Sequence, residues 1–434
     1  MSLNRRQFLG ASASATLLPS IAKSEPGFRL EAEPVIAQVL PPGDGVTHMF
    51  GFNGSSPGPE IRARQGDRVS VDFVNGLDRD SAIHWHGIHV DNDMDGVPGL
   101  TQPLVRPGET FHYSVNVAHA GTYWYHAHHR SWEQVAMGLY GPLIVEEQDP
   151  PTVDRDITVL LDDWRLEETG ELHDSFGNAH DITHAGRMGN FARALFSSNH
   201  VRRGDRVRLR LINAATAREF PVTIGGLVGQ VVAYDGMPLP EPAPFREILL
   251  APAQRTDVIA DVTGPVTFDL RLRQGSYELG TLSVEGTNPS PTHAPIMPLP
   301  SPGIPEPDGN RATRLTLVMQ GGAMGGRHGG QDVWAFNDRS GLPERPWRQF
   351  DRGETARITL RNDTAFPHGI HLHGHHFREI GDDGVHGAYR DTTLVDPGSS
   401  RDILCVFHNP GRWLLHCHTL AHQAFGMKTW VEVK

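Results

Sequence analysis

Only two cysteines occur in the 434-residue chain, too few for a disulfide framework, so ordinary packed cores must supply its stability. No run of about 18 uninterrupted apolar residues is present, which excludes a helical membrane span. Basic charge is in deficit: 39 Lys and Arg against 51 Asp and Glu gives 39 − 51 = −12, a balance that disfavours nucleic acid as a partner. Aromatic residues are scarce at 8%, while 47 Gly and 33 Pro suit a loop-rich β protein. Without an export peptide of roughly 22 residues, about 412 remain, room for two to four domains. The surplus is histidine, at 25, and such an excess points to metal.

The first residues carry an address. Asn4-Arg5-Arg6-Gln7-Phe8-Leu9 precedes a mildly apolar, small-residue run from Gly10 to Leu18 and a Ser20-Ile21-Ala22 exit, the order of a twin-arginine signal. The mature chain is expected to start near Lys23, with residues 1–27 forming signal and N-terminal lead. The twin-arginine translocation machinery carries folded proteins, so the expected location is the bacterial periplasm or outside the cell.

The sequence repeats itself. Gly66-Asp67-Arg68-Val69-Ser70-Val71-Asp72-Phe73-Val74-Asn75 returns as Gly204 to Asn213 and, more weakly, as Gly353 to Asn362, each alternating polar and apolar residues like a half-buried strand. A second landmark recurs at Pro107-Gly108-Glu109, Pro252-Ala253-Gln254 and Pro397-Gly398-Ser399. The expected architecture is all-β, three tandem β-sandwich domains at 28–150, 151–290 and 310–434, with a Pro-rich, extended linker at 291–309.

Four His-x-His pairs stand out: His84/His86, His126/His128, His371/His373 and His416/His418. On a strand, residues i and i+2 share a face about 6.6 Å apart, so each pair is a two-pronged metal claw. His84 lies nine residues after Asn75 and His371 nine after Asn362, but nine after Asn213 stands Val222. Domains one and three thus bring two claws each and the middle domain none, which predicts a shared cluster of three metals at the interface of the outer domains and makes the middle one a spacer and brace. A separate set, His368, Cys417, His422 and Met427, describes a blue-copper electron-transfer centre: two imidazoles, a thiolate and an axial thioether. The aligned positions of domain one are Ser81 and Ala127, so no such centre is expected there. Strand alternation points Cys417 toward the single copper and His416 and His418 toward the cluster, a short covalent electron path.

With these motifs the sequence resembles the three-domain multicopper oxidases, close to bacterial laccases and cuprous oxidases, over essentially the whole mature chain. The resemblance implies cupredoxin-like Greek-key domains and four copper ions. His84 and His371 would hold type 2; His86, His126 and His418 one type 3 copper; His128, His373 and His416 the other; and His368, Cys417, His422 and Met427 type 1. It further implies that Asp95 orients hydrogen bonds and relays protons, that O2 is the acceptor, and that an exposed ligand ring such as His422 passes electrons inward. Many relatives have Glu where this chain has Gln423, which removes one proton donor. The reading is a laccase-like oxidase of phenols or similar donors. A cuprous-ion oxidase serving copper tolerance is the alternative, weakened by the lack of a Met-rich insert; a non-catalytic copper scaffold would lack ligands, and none is missing. A copper nitrite reductase would have about two domains and no set of four His-x-His pairs.

His89, His129, His375, His376 and His408 are expected on the surface or behind the ligands, Cys405 as a buried small apolar residue, and Gly321 to Gly330 as a flexible loop.

Overall fold

The computed structural model describes residues 27–434 except 42, 292–293, 324–332 and 382. The twin-arginine segment and most of the Gly-rich stretch lie outside the described residues. Three cupredoxin-like sandwiches follow one another, each made of two sheets. In the first, a sheet ordered Thr47–Phe52, Gly27–Ala37, Arg68–Asn75, Thr110–Asn116 is joined by another ordered Ile61–Arg64, Tyr140–Glu146, Gly121–Ala127, Ile83–His86. The second and third sandwiches each combine a six-stranded with a five-stranded sheet. Among the described residues no helix is long and apolar enough to cross a membrane.

The repeats have a structural cause. Asn75, Asn213 and Asn362 each sit buried at a strand end, where the amide nitrogen donates to two carbonyls (Arg79 and Val105, Arg218 and Leu250, Phe366 and Val395) and the amide oxygen accepts the N–H two residues on. One side chain thereby satisfies three backbone groups that the turn would otherwise leave unpaired. The second landmark marks left-handed backbone: Gly108 and Gly398 have φ of 79° and 67°, and the middle copy places Ala253 at 74°.

Alternation holds as expected in Arg68–Asn75, where Val69, Val71 and Phe73 point inward. It fails to predict exposure in Arg206–Asn213, which is buried on both faces. Its polar face is covered by the first domain, and the arginines are neutralised in place: Arg208 pairs with Glu147 at 2.9 Å and Asp257 at 2.7 Å, and Arg210 pairs with Asp156 at 2.7 Å. Buried charge tolerates no less.

The middle domain packs Val207, Leu209, Val222 and Phe268 into a core of its own. Domains one and three instead share a single contiguous core that runs from Trp85 and Trp124 to Trp334, Trp413 and Cys417. Each large apolar side chain so buried stabilises the fold by about 1.5–3 kcal/mol, which seats the two claw-bearing sheets against each other.

Candidate metal centre

The claws arise at paired strand ends. Ile83–His86 runs antiparallel to Gly121–Ala127 with His84 opposite His126, and His368–Leu372 runs antiparallel to Gly411–Cys417 with His371 opposite His416. The intervening Trp85, Ala127 and Leu372 enter the core. The four pairs meet. His84, His86 and His371 form one buried group, His86, His126 and His418 a second, and His128, His373 and His416 a third, the donor atoms of each lying within 4.8 Å of one another. At the position corresponding to the first claw, the middle domain spends Val222 and Ile224 on its own core.

Most of the rings have one nitrogen held by a neighbour and the other turned into the group, and His418 has both nitrogens buried without a partner. His84 Nδ1 donates to the Asp95 carbonyl at 2.8 Å, His371 Nδ1 to the Asp391 carbonyl at 2.9 Å, His126 Nδ1 to Ala127 O at 3.1 Å and His416 Nδ1 to Cys417 O at 2.9 Å. His373 Nδ1 reaches the Asp95 carboxylate at 3.0 Å, and His86 Nε2 reaches Asp391 Oδ1 at 3.2 Å. The opposite nitrogens, including His84 Nε2, His86 Nδ1, His126 Nε2 and His371 Nε2, are buried without a partner, while His373 Nε2 and His416 Nε2 face each other at 3.0 Å. Burial first, then neighbouring imidazoles, hold His126, His128, His373, His416 and His418 well below the usual histidine range, that is, in the neutral form that ligates metal. Unpaired buried lone pairs fixed by carbonyls and carboxylates on their far side fit metal ions.

The second constellation also closes. His368 Nδ1 and His422 Nδ1 stand 3.1 Å apart, with Cys417 Sγ at 3.5 and 3.7 Å from them. Met427 is buried beside them and its carbonyl accepts the Cys417 N–H at 3.1 Å. Burial pushes the Cys417 thiol up to about 12, so a cation is needed to draw out its thiolate at neutral pH. Two imidazoles and a thiolate in this arrangement suit copper.

One expectation is overturned here. His422 is fully buried, because the backbone following helix Ala179–Thr183 lays the His184 carbonyl on its Nε2 at 2.6 Å and the Trp334 ring covers it at 4.1 Å.

Three family models described as multicopper oxidase match residues 36–150, 155–287 and 315–434. A solved structure, Lac15 from a marine microbial metagenome, is 51% identical over 94% of this chain and 100% of its own, with a TM-score of 0.82. The chain belongs to the multicopper oxidases. Curated relatives include multicopper oxidase MmcO of Mycobacterium tuberculosis, 29% identical over 98% of this chain and 88% of its own, and laccase-1 of Botryotinia fuckeliana, 30% identical over 88% and 78%. As a multicopper oxidase the protein is a copper-binding oxidoreductase.

Sequence reasoning missed two residues at this oxidase's cluster. Asp391 matches Asp95 in function of geometry, carbonyl to one ring and carboxylate to another, but it follows the last His of its claw by a longer hairpin, which hides the correspondence. Arg255, from the middle domain, grips the Asp391 carboxylate at 2.5 and 2.9 Å. The middle domain therefore does more than brace. Burial opposes the Asp391 charge, yet Arg255 and then His86 hold its pKa well below the usual carboxylate range. Glycine is required beside this pair: Gly87 has φ of 87°, and a Cβ there would lie 2.3 Å from Arg255 Nη2. Gln423 accepts a hydrogen bond from Ser131 Oγ at 3.4 Å, and both line a cavity of about 280 Å³ that reaches His128. His375 and His376 are not on the surface; they are buried at 1% and 3% exposure because the strand that follows, Phe377–Ile380, carries them under the interdomain contact. Cys405 is a buried free thiol, as expected.

Proposed function

We propose that the protein is a laccase-like oxidase that removes single electrons from phenolic or similar donors and reduces O2 to water. The observation that carries this reading is the convergence of eight buried imidazoles from two domains beside a separate His368–Cys417–His422 set, the two joined through the adjacent residues His416 and Cys417 of one strand. In this proposal His84 and His371 hold type 2 copper, His86, His126 and His418 one type 3 ion, His128, His373 and His416 the other, and His368, Cys417, His422 and Met427 type 1. Four coppers supply one-electron acceptance from the donor and joint four-electron delivery to O2, which avoids the unfavourable first one-electron step.

The chain's own residues do the rest. Cys417 lies between His416 and His418, so the path from one site to the other is a few covalent bonds. Asp95 holds the His373 Nδ1 proton and stands close to His84, positioned to relay protons to the oxygen site. Gln423 holds no transferable proton, and Ser131 keeps its amide beside the cavity that reaches His128. Arg5 and Arg6 would direct the folded, copper-loaded protein through the twin-arginine machinery to the periplasm or beyond.

A second reading, oxidation of Cu(I), is favoured by one feature. The His180 and His184 rings stack at 4.2 Å on the very segment that covers His422, offering nitrogen donors at the electron entrance. The test is to load the full chain with copper, count four ions per polypeptide, and measure O2 uptake with a phenol and with Cu(I). Cys417→Ser is expected to abolish the intense thiolate-to-copper absorption and to lower oxidation of either donor by more than about 1000-fold, equivalent to ~4 kcal/mol. Fewer than four coppers in competent protein, or an unchanged spectrum in the variant, would overturn the proposal; the ratio of kcat/KM for the two donors ranks the readings.

A further inference from the structure

Among the described residues, every buried histidine nitrogen without a partner belongs to the copper groups, with a single exception, His89 Nδ1. His89 follows the second His of its claw by three residues, as His376 follows His373, and the two rings meet across the domain boundary with His89 Nε2 and His376 Nδ1 at 2.8 Å. His376 Nε2 in turn donates to the Asp235 carbonyl at 2.9 Å, so its Nδ1 is an acceptor, His89 Nε2 is the donor, and the lone pair of His89 Nδ1 is left unused.

Two more imidazoles face this ring. His119 and His408 have centroids 4.9 and 5.1 Å from that of His89. They come from the loops that precede strands Gly121–Ala127 and Gly411–Cys417. His119 Nδ1 donates to Pro302 O at 2.9 Å and His408 Nδ1 to Val406 O at 3.1 Å, which leaves the Nε2 lone pair of each free for a ligand. This is the arrangement already met in the copper cluster, one nitrogen pinned by a carbonyl and the other available. Burial lowers the pKa of all three imidazoles, helped by neighbouring rings at His89 and His119 and by Arg352 at His408, which favours the neutral form that ligates metal. His408 also lines an open groove of about 810 Å³ that carries charges of both signs, Glu306, Asp308 and Glu354 with Arg311 and Arg352.

We propose that His89, His119 and His408 form a further metal site, separate from the copper centres, that takes a nitrogen-preferring divalent cation such as Zn(II) or Cu(II) and ties the first domain to the third. All-imidazole donors suit these ions and not Ca(II) or Mg(II). Unlike the copper groups, the three donors do not all lie within 4.8 Å of one another, so metal binding requires the half-buried rings of His119 and His408 to turn toward His89 Nδ1 against their hydrogen bonds to Pro302 and Val406. Water completes the coordination on the groove side. No redox step is assigned to the site.

The experiment uses the copper-loaded full chain and Zn(II), which is distinguishable from copper by elemental analysis. One Zn(II) per chain is expected after equilibration and gel filtration, with the copper count and the blue absorption unchanged and the Tm raised. His119→Ala/His408→Ala is expected to weaken Zn(II) binding by at least tenfold and to abolish the Tm rise while retaining copper. His180→Ala/His184→Ala, which removes the stacked pair at the electron entrance, should leave Zn(II) binding intact. Absence of stoichiometric Zn(II), its retention in the first variant, its loss in the second, or its uptake only in exchange for copper would each overturn the proposal. A failure here leaves the copper count and the blue spectrum untouched, so it is distinguishable from a failure of the oxidase reading.

Discussion

The two halves of the histidine cluster are near copies that differ in what holds their acids. In each half a carbonyl pins one ring and the same residue's carboxylate pins another: Asp95 serves His84 and His373, and Asp391 serves His371 and His86. Asp391 is clamped by the Arg255 guanidinium, whereas the partners of Asp95 among the described residues are imidazoles. The guanidinium holds Asp391 in its charged form. The two acids have one shape, and in the proposed oxidase the arginine contributed by the middle domain would divide their labour, Asp391 positioning rings and Asp95 relaying protons.

This division is breakable. Asp391→Asn removes the nearer of the two carboxylates facing Arg255, leaving Asp235 at 3.7 Å, and misorients two rings; it is expected to lower copper affinity and activity by about 100-fold, read as copper per chain and as kcat. Asp95→Asn should instead keep its copper and lose about tenfold in kcat, with a changed pH profile. Equal copper loss in the two variants would show that both acids merely position.

Acid should act unevenly on the halves, because His375 and His376 of the third domain correspond to Ile88 and His89 of the first. Burial holds His375 down to about 3 and His376 down to about 4, from an ordinary value of 6.5. A histidine depressed in the folded state binds its proton first in the unfolded chain, so stability is lost as pH falls from about 6.5 toward 4, by roughly 3 kcal/mol for His376 alone. Thermal melts across that window should show the decline, and His375→Ile should make it shallower. The smallest effect concerns the landmark turns. Ala253 takes the left-handed backbone that Gly108 and Gly398 take in the outer domains, so Ala253→Gly trades about 1 kcal/mol of steric relief against a slightly smaller entropy cost. A Tm rise of about 1 °C is expected.

Repeats and claws were legible because they depend on local spacing. Asn75, Asn213 and Asn362 mark a turn whose hydrogen bonds lie within a few residues or in one neighbouring strand, and the His-x-His pairs encode a shared face. Asp391 and Arg255 were not legible, since their meaning exists only once three domains meet. The burial of His422 escaped notice for the same reason: its cover comes from a middle-domain segment with no motif of its own. For His375 and His376 the sequence left surface and a place behind the ligands both open, and burial decides for the second: His375 Nδ1 donates to the His373 carbonyl.

The continuous interior shared by the first and last sandwiches sets an order of manufacture. A ribosome must make the whole middle domain after Ile83–His86 before Gly411–Cys417 and Lys428–Val433 exist to complete what the earlier strand began. Pairing across such sequence distance is slow. A chain that stops short of Gly411 therefore lacks two of the eight cluster imidazoles, His416 and His418, together with the Cys417 sulfur of the second set.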